Sequence, residues 1–249
     1  PSIEAVVKQA TPGLAYLVLD FQNPTGFRME AEQREQLAAV LRRTRTLAVV
    51  DETLVEVDLS GRTAPPPMAS FAPERVITTG SASKSFWGGL RMGWIRAPEP
   101  VVDRLVRSRA AMDLGSPSLE QFVLVELLAD PEPLLRRRRA EWIACRDALA
   151  AALREHLPSW EFQVPDGGLS LWCDLGEPIA SRLAVAAEQH GVRVAPGGQF
   201  GVDSAVERHV RLPYTLPVED LHDAVRRLAL AARGLGTAPG PGAREAPVA

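Results

Sequence analysis

Apolar residues follow two textures along this chain. In 14–21 (LAYLVLDF) and 46–52 (TLAVVDE) they run almost without interruption, the pattern of strands covered on both faces. A third run, 74–83 (ERVITTGSAS), reads as another buried strand. Between the first two, residues 29–45 set apolar side chains at 37, 38, 40 and 41 among charges, which predicts a surface helix. Strand, helix and strand with short connections predict parallel pairing in an α/β layer. The proline-rich 61–73 (GRTAPPPMASFAP) predicts a loop, since proline breaks a helix interior. Residues 118–157 predict a helical region broken at Pro131 and Pro133, with a long amphipathic helix after the break.

Downstream the texture changes. Residues 160–176 and 191–201 read as short strands with glycine turns, 178–190 as a helix between them and 207–215 as a further strand. A helix over 217–235 opens on Pro217. The expected organisation is a large domain over 1–132, a connecting helix over 133–157 and a smaller α+β domain over 158–235. The Gly/Pro/Ala-rich 236–249 is expected to be a disordered tail.

Composition narrows the function classes. The chain is 46% hydrophobic and 24% charged with a net charge of −3, an ordinary globular balance without bulk attraction to nucleic acid or anionic membrane. No apolar run approaches the ~20 residues that span a bilayer, and no signal peptide is evident, so a cytoplasmic protein that does not engage membranes is expected. Cys145 and Cys173 suggest neither a disulfide framework nor a metal site; reduced thiols are expected. Arg136–Arg139 would wrap round a helix and form no single basic stripe. The chain starts at Pro1 and enters a core-like strand within a dozen residues, so the expectation is that a longer protein has lost its N-terminal part. A sheet deprived of its first strands would expose unpaired edges and be poorly soluble alone.

The candidate chemistry collects at strand ends. The first strand delivers Asp20 and then QNPTG with Asn23; the second delivers Asp51 and Glu52; the third delivers Ser81, Ser83 and Lys84. Ligands of open α/β sheets bind outside those carboxyl ends. Lys84 is the discriminating residue, because the 28 basic residues include only two lysines, Lys8 and Lys84. Arginine would serve any purely electrostatic role, whereas only a primary amine forms an imine with a carbonyl. Hydroxyls of Ser81 and Ser83 with Arg91 suit a phosphate, Asp51 a protonated pyridine nitrogen and Asn23 a ring hydroxyl. The ligand these groups describe is pyridoxal 5′-phosphate.

The motifs NPTG, a strand-end aspartate and SxSK…GLRxGW, in this order, resemble the fold type I, aspartate-aminotransferase-like pyridoxal-phosphate proteins. More narrowly, DFQNPTG, DETLVEVDL and GSASKSFWGGLRMGW resemble the aminotransferase-like domain of MocR-type transcriptional regulators of the GntR superfamily. The resemblance covers residues 1 to 235. It implies a mostly parallel sheet with flanking helices, a smaller C-terminal domain and a homodimer. It assigns Lys84 as the lysine bonded to the cofactor, Asp51 to the pyridine nitrogen, Asn23 to the phenolic oxygen, and Ser81, Ser83 and Arg91 to the phosphate. It adds Arg211, in RHVRLPY, as the residue that takes a substrate's α-carboxylate. An amino acid or other amine is the implied small-molecule partner, and DNA is reached only through a domain absent from this chain. The sequence departs from the family where a tyrosine usually follows the strand-end aspartate, since Thr53 and Leu54 stand there. Two functions stay open: the effector-sensing half of a regulator, and a free-standing aminotransferase.

Overall fold

Short β-rich runs ending in polar residues assemble the first sheet. Leu14–Leu17 (β1), Leu47–Asp51 (β2) and Val76–Ser81 (β3) pair in parallel, and Gly93–Arg96 (β4) returns antiparallel to β3, in the order β1-β2-β3-β4. The computed structural model describes residues 3–113, 115–201 and 204–236, so all but the first residue of the expected disordered tail lies outside the described residues. The described residues divide into two units, one comprising those up to 22 with 27–139, the other 23–26 with those from 140 onward.

In the first unit, Ile3–Ala10 (α1) precedes β1, and Ala31–Thr44 (α2) links β1 to β2. A reciprocal cap between Glu30 and Gln33 starts α2, and Arg45, in the left-handed region at φ 57°, stops it. Its apolar stripe of Leu37, Ala38 and Leu41 packs on Ala48 and Val50 of β2, with Met68 and Ala69 of the short helix Met68–Phe71 (α3) completing the core. That helix lies inside the segment predicted as loop. It begins one residue after the last of Pro65–Pro67, where proline no longer blocks a helical turn.

The first two strands were expected to be covered on both faces; among the described residues β3 is buried on both, while β1 and β2 are more exposed on one. Ala48 and Val50 are fully buried, whereas Val49 and Asp51 are half-buried and Leu14 and Tyr16 of β1 are exposed. Strand alternation puts Val49, Asp51 and Tyr16 on the face away from the α2 core. Glu99–Arg109 (α5) follows β4 across a groove of about 680 Å³ lined by Trp94, Ile95, Leu105 and Val106.

Arg34, one of the charges expected on the solvent face of α2, is buried instead. Its guanidinium donates to a carboxylate oxygen of Asp20 at 2.5 Å, to the carbonyl of Met29 at 2.8 Å and to that of Pro66 at 3.3 Å. It therefore ties the segment after β1, the start of α2 and the proline-rich loop together.

Ser118–Ala129 (α6) and Glu132–His156 (α7) are separated at Pro131 as expected. Pro133 is accommodated in the first turn of α7, where its missing N–H costs nothing. The second unit has a small antiparallel sheet. Glu161–Phe162 (β5), Ser170–Asp174 (β6), Ala195–Pro196 (β7) and His209–Pro213 (β8) lie in the order β5-β6-β8-β7. Leu171, Cys173, Val210 and Leu212 point into a core shared with Ala180–Gln189 (α8) and Val218–Gly234 (α9). Burial pushes the Cys173 thiol up to about 12, so it is an inert core thiol. Gly197, in the APGGQF turn, is required by packing: a Cβ there would sit 1.8 Å from the carbonyl oxygen of Val206. Among the described residues no helix is long and apolar enough to cross a membrane.

Candidate functional site

Parallel pairing brings the carboxyl ends of β1, β2 and β3 to one edge, and register fixes what meets there. Asp51 is opposite Thr79, so Ser81 lies two residues further along β3, roughly 7 Å, at the same edge. Beyond it the chain turns at once into the helix Ala82–Ser85 (α4), whose N-cap is Ser81: its hydroxyl accepts from the Ser83 amide at 3.2 Å. Lys84 sits within α4 and is exposed. Among the described residues no carboxylate lies within ion-pair distance of it, while the chain's other lysine, Lys8, pairs with Glu4 at 2.8 Å.

Arg91 reaches the same place from the other side. The single turn Gly88–Leu90 leads into Arg91 in the left-handed region at φ 51°, and the next carbonyl, Met92, accepts from Ala82 at 3.0 Å. Ser81 is opposite Gly93 in the β3–β4 ladder. The backbone of Arg91 is thereby held beside the Ser81–Ser83 turn. Close approach demands small residues at this crossing: a Cβ on Gly93 would lie 2.8 Å from the Gly80 carbonyl. Ala82, Phe86, Leu90 and Met92 anchor the whole loop in a buried cluster with Leu135 of α7. One unit thus unites Asp51, Ser81, Ser83, Lys84 and Arg91.

Asp51 is held as a carboxylate. Burial would raise its pKa, but the hydroxyl and amide of Thr53 and the phenol of Tyr16 donate to it and bring it below the ordinary value. Neighbouring Glu52 behaves oppositely; its burial, then the charge of Asp20, pushes its carboxyl up, and one of its oxygens has no partner among the described residues. Asp20, three residues beyond β1, is taken by Arg34 and serves the fold.

Asn23 and Arg211 belong to the second unit. Asn23 is exposed at the head of the NPTG turn, which contains a cis Asn23–Pro24 peptide and closes on Gly26 at φ 71°. Arg211 lies on β8, opposite Trp172 of β6 and Ala195 of β7. Its guanidinium is half-buried, burial lowers its pKa, and its Nε, fully enclosed, has no partner among the described residues. An enclosed cationic donor without an acceptor is costly, and a ligand carboxylate is the group that would satisfy it. Trp172 stacks on His209 at 4.9 Å and meets Phe200 edge-on at 5.8 Å, so one face of this sheet carries an aromatic wall alongside the arginine. The sequence pattern did not reveal Tyr16 as a partner of Asp51; strand alternation in LAYL was the available signal, but it could not supply the register.

The donor set of the first unit fits pyridoxal phosphate: a primary amine without an ion pair among the described residues, a stabilised carboxylate, and hydroxyls with an arginine.

Comparison with known proteins agrees. The family described as Aminotransferase class I and II matches residues 3–228. The 2-aminoadipate transaminase of Thermus thermophilus is 32% identical over 242 residues, covering 94% of this chain and 61% of that protein. The uncharacterized HTH-type transcriptional regulator YdfD of Bacillus subtilis is 29% identical over 225 residues, covering 87% and 46%. Among solved structures, LysN, the α-aminoadipate aminotransferase of Thermus thermophilus complexed with N-(5′-phosphopyridoxyl)-L-leucine, superposes with a TM-score of 0.86 at 29% identity, covering 94% of this chain and 63% of that one. The chain thus spans about three fifths of the first of these relatives and under half of the second.

Proposed function

Because the chain belongs to the aminotransferase class I and II family, a pyridoxal-phosphate-dependent family of fold type I, we propose that it holds this cofactor on Lys84 and recognises an amino acid through Arg211. The observation that carries the reading is Lys84 itself, an exposed lysine on the short helix α4 at the sheet's carboxyl edge without an ion-pair partner among the described residues. Its amine would bond the cofactor's aldehyde carbon and, when free, take the proton from the amino acid's Cα. Asp51, kept anionic by its donors, would pair with the protonated ring nitrogen. Ser81, Ser83 and Arg91 would hold the phosphate, and Asn23 the phenolic oxygen. The cofactor, when bound, supplies the electron-withdrawing ring that makes that Cα–H acidic.

In the intact protein this domain would serve as the amino-acid-sensing part of a regulator of the MocR type, working as a homodimer and contacting DNA through a separate domain. The similarity to three HTH-type regulators supports this, as does the absence of a tyrosine after Asp51, where Thr53 and Leu54 stand. The second reading, a free-standing aminotransferase, is supported by the 32% identity to the Thermus transaminase and the 30% identity to arginine–pyruvate transaminase AruH of Pseudomonas aeruginosa. Full-length protein loaded with pyridoxal phosphate and mixed with amino acids separates the two. A spectral change without keto acid release supports the sensor, and stoichiometric keto acid supports the enzyme. A protein that takes up no cofactor refutes both. Replacing Arg211 by alanine is expected to weaken amino-acid binding by at least ~2 kcal/mol, about thirtyfold, in a spectral titration; an unchanged affinity removes it from the site.

A further inference from the structure

The carboxylate of Asp51 has two supports, and one lies outside every motif that marks the site. Tyr16 is opposite Val49 in the β1–β2 ladder, so Tyr16 and Asp51 project from the same face of adjacent strands, one side-chain step apart. The Tyr16 hydroxyl donates to Oδ2 of Asp51 at 2.5 Å, while the Thr53 amide donates to Oδ1 at 2.9 Å. Both carboxylate oxygens are thus engaged, Oδ2 by the phenol from β1 and Oδ1 by the turn after β2, where the Thr53 hydroxyl also favours the anion. Packing does not account for the pose of the tyrosine, which is 63% exposed. Its hydrogen bond to Asp51 links it to the adjacent strand.

We propose that Tyr16 is a positioning residue, whose phenol orients the Asp51 carboxylate and keeps it anionic for the ring nitrogen of the cofactor. The inference rests on the proposed pairing of Asp51 with that nitrogen. Among the described residues, these groups meet or neighbour Asp51. From β1 comes Tyr16, from the turn after β2 comes Thr53, and the register partner on β3 is Thr79, which does not titrate. Next along the chain is Glu52, which its own burial pushes toward the neutral form. The hydrogen bonds from Thr53 and Tyr16 together outweigh the burial of Asp51, and the reciprocal effect on Tyr16 pushes its phenol up to about 12, first through this hydrogen bond.

A group whose anionic form is favoured keeps its charge until the pH falls through its depressed pKa. Losing the phenol raises that midpoint, so charge is lost at a higher pH. The test is Tyr16→Phe in the full-length protein, read in two ways. Carboxyl NMR titration of the cofactor-free protein is expected to move the Asp51 midpoint up by about half to one unit. Titration with pyridoxal phosphate is expected to show about fivefold weaker binding near neutral pH, with the melting temperature unchanged. An unmoved Asp51 midpoint overturns the inference, even if binding weakens, since that pattern is lost packing alone. A moved midpoint with unchanged cofactor affinity overturns it as well. Failure of both forms to bind pyridoxal phosphate overturns the proposed function, and with it the positioning role of Tyr16.

Discussion

Replacing Lys84 by alanine is expected to abolish covalent retention of pyridoxal phosphate while leaving the fold intact. The side chain is exposed within the four-residue α4, and the buried neighbours that secure the loop are Ala82, Ser85 and Phe86. Its removal takes away no core contact and no ion pair among the described residues, so the melting temperature should change little. The chemistry, by contrast, has no second candidate nearby. Arginines supply all but two of the chain's basic side chains, and Lys8 is engaged with Glu4 on α1. Lys84→Arg should fail as completely as alanine, because a guanidinium keeps the charge and loses the nucleophilic amine. Serines 81 and 83 with Arg91 would still hold the phosphate, so weak, dialysable binding is expected to survive. Retention of a borohydride-reducible bond in Lys84→Arg would contradict the assignment.

The second large effect concerns stability. Arg34→Ala is expected to cost about 3–5 kcal/mol, because it strands the buried Asp20 carboxylate. Asp20 already has one oxygen without a partner among the described residues, so the loss is not shared with another donor. Two carbonyls, of Met29 and Pro66, lose their donor at the same time. The expected readout is a melting temperature lower by roughly 10 °C. Combining Asp20→Leu with Arg34→Met should recover most of that loss, since an apolar pair of similar bulk removes the stranded charge. A single substitution that costs less than ~1 kcal/mol would show that water reaches Asp20.

These two residues illustrate what the sequence could and could not reveal. Lys84 was legible because lysine is rare in this chain and its neighbours are chemically specific: hydroxyls before it, an arginine seven positions later, a strand-end aspartate upstream. The first two parallel strands were legible from nearly uninterrupted apolar runs, and the third from the shorter run ERVITT ahead of the serines. Arg34 was not. Its helix reads as an ordinary amphipathic surface element, and only the folding of the proline-rich loop against it turns one charged position inward. Tyr16 was hidden for a related reason, since its bond to Asp51 spans 35 residues and depends on strand register. An apolar run of β-formers says that a strand can be buried on both sides, which holds for β3, whereas Tyr16 of β1 is exposed. β4 carries little sequence signal of its own, since Gly93 and Trp94 also close the GLRMGW motif and the strand is only four residues long.

The most direct test of the central claim is borohydride reduction of full-length protein loaded with pyridoxal phosphate, followed by cleavage at arginine and mass spectrometry. The expected result is one phosphopyridoxyl group on the peptide spanning 76–91, at Lys84. Modification at Lys8 alone, or an unmodified 76–91 peptide, would contradict it.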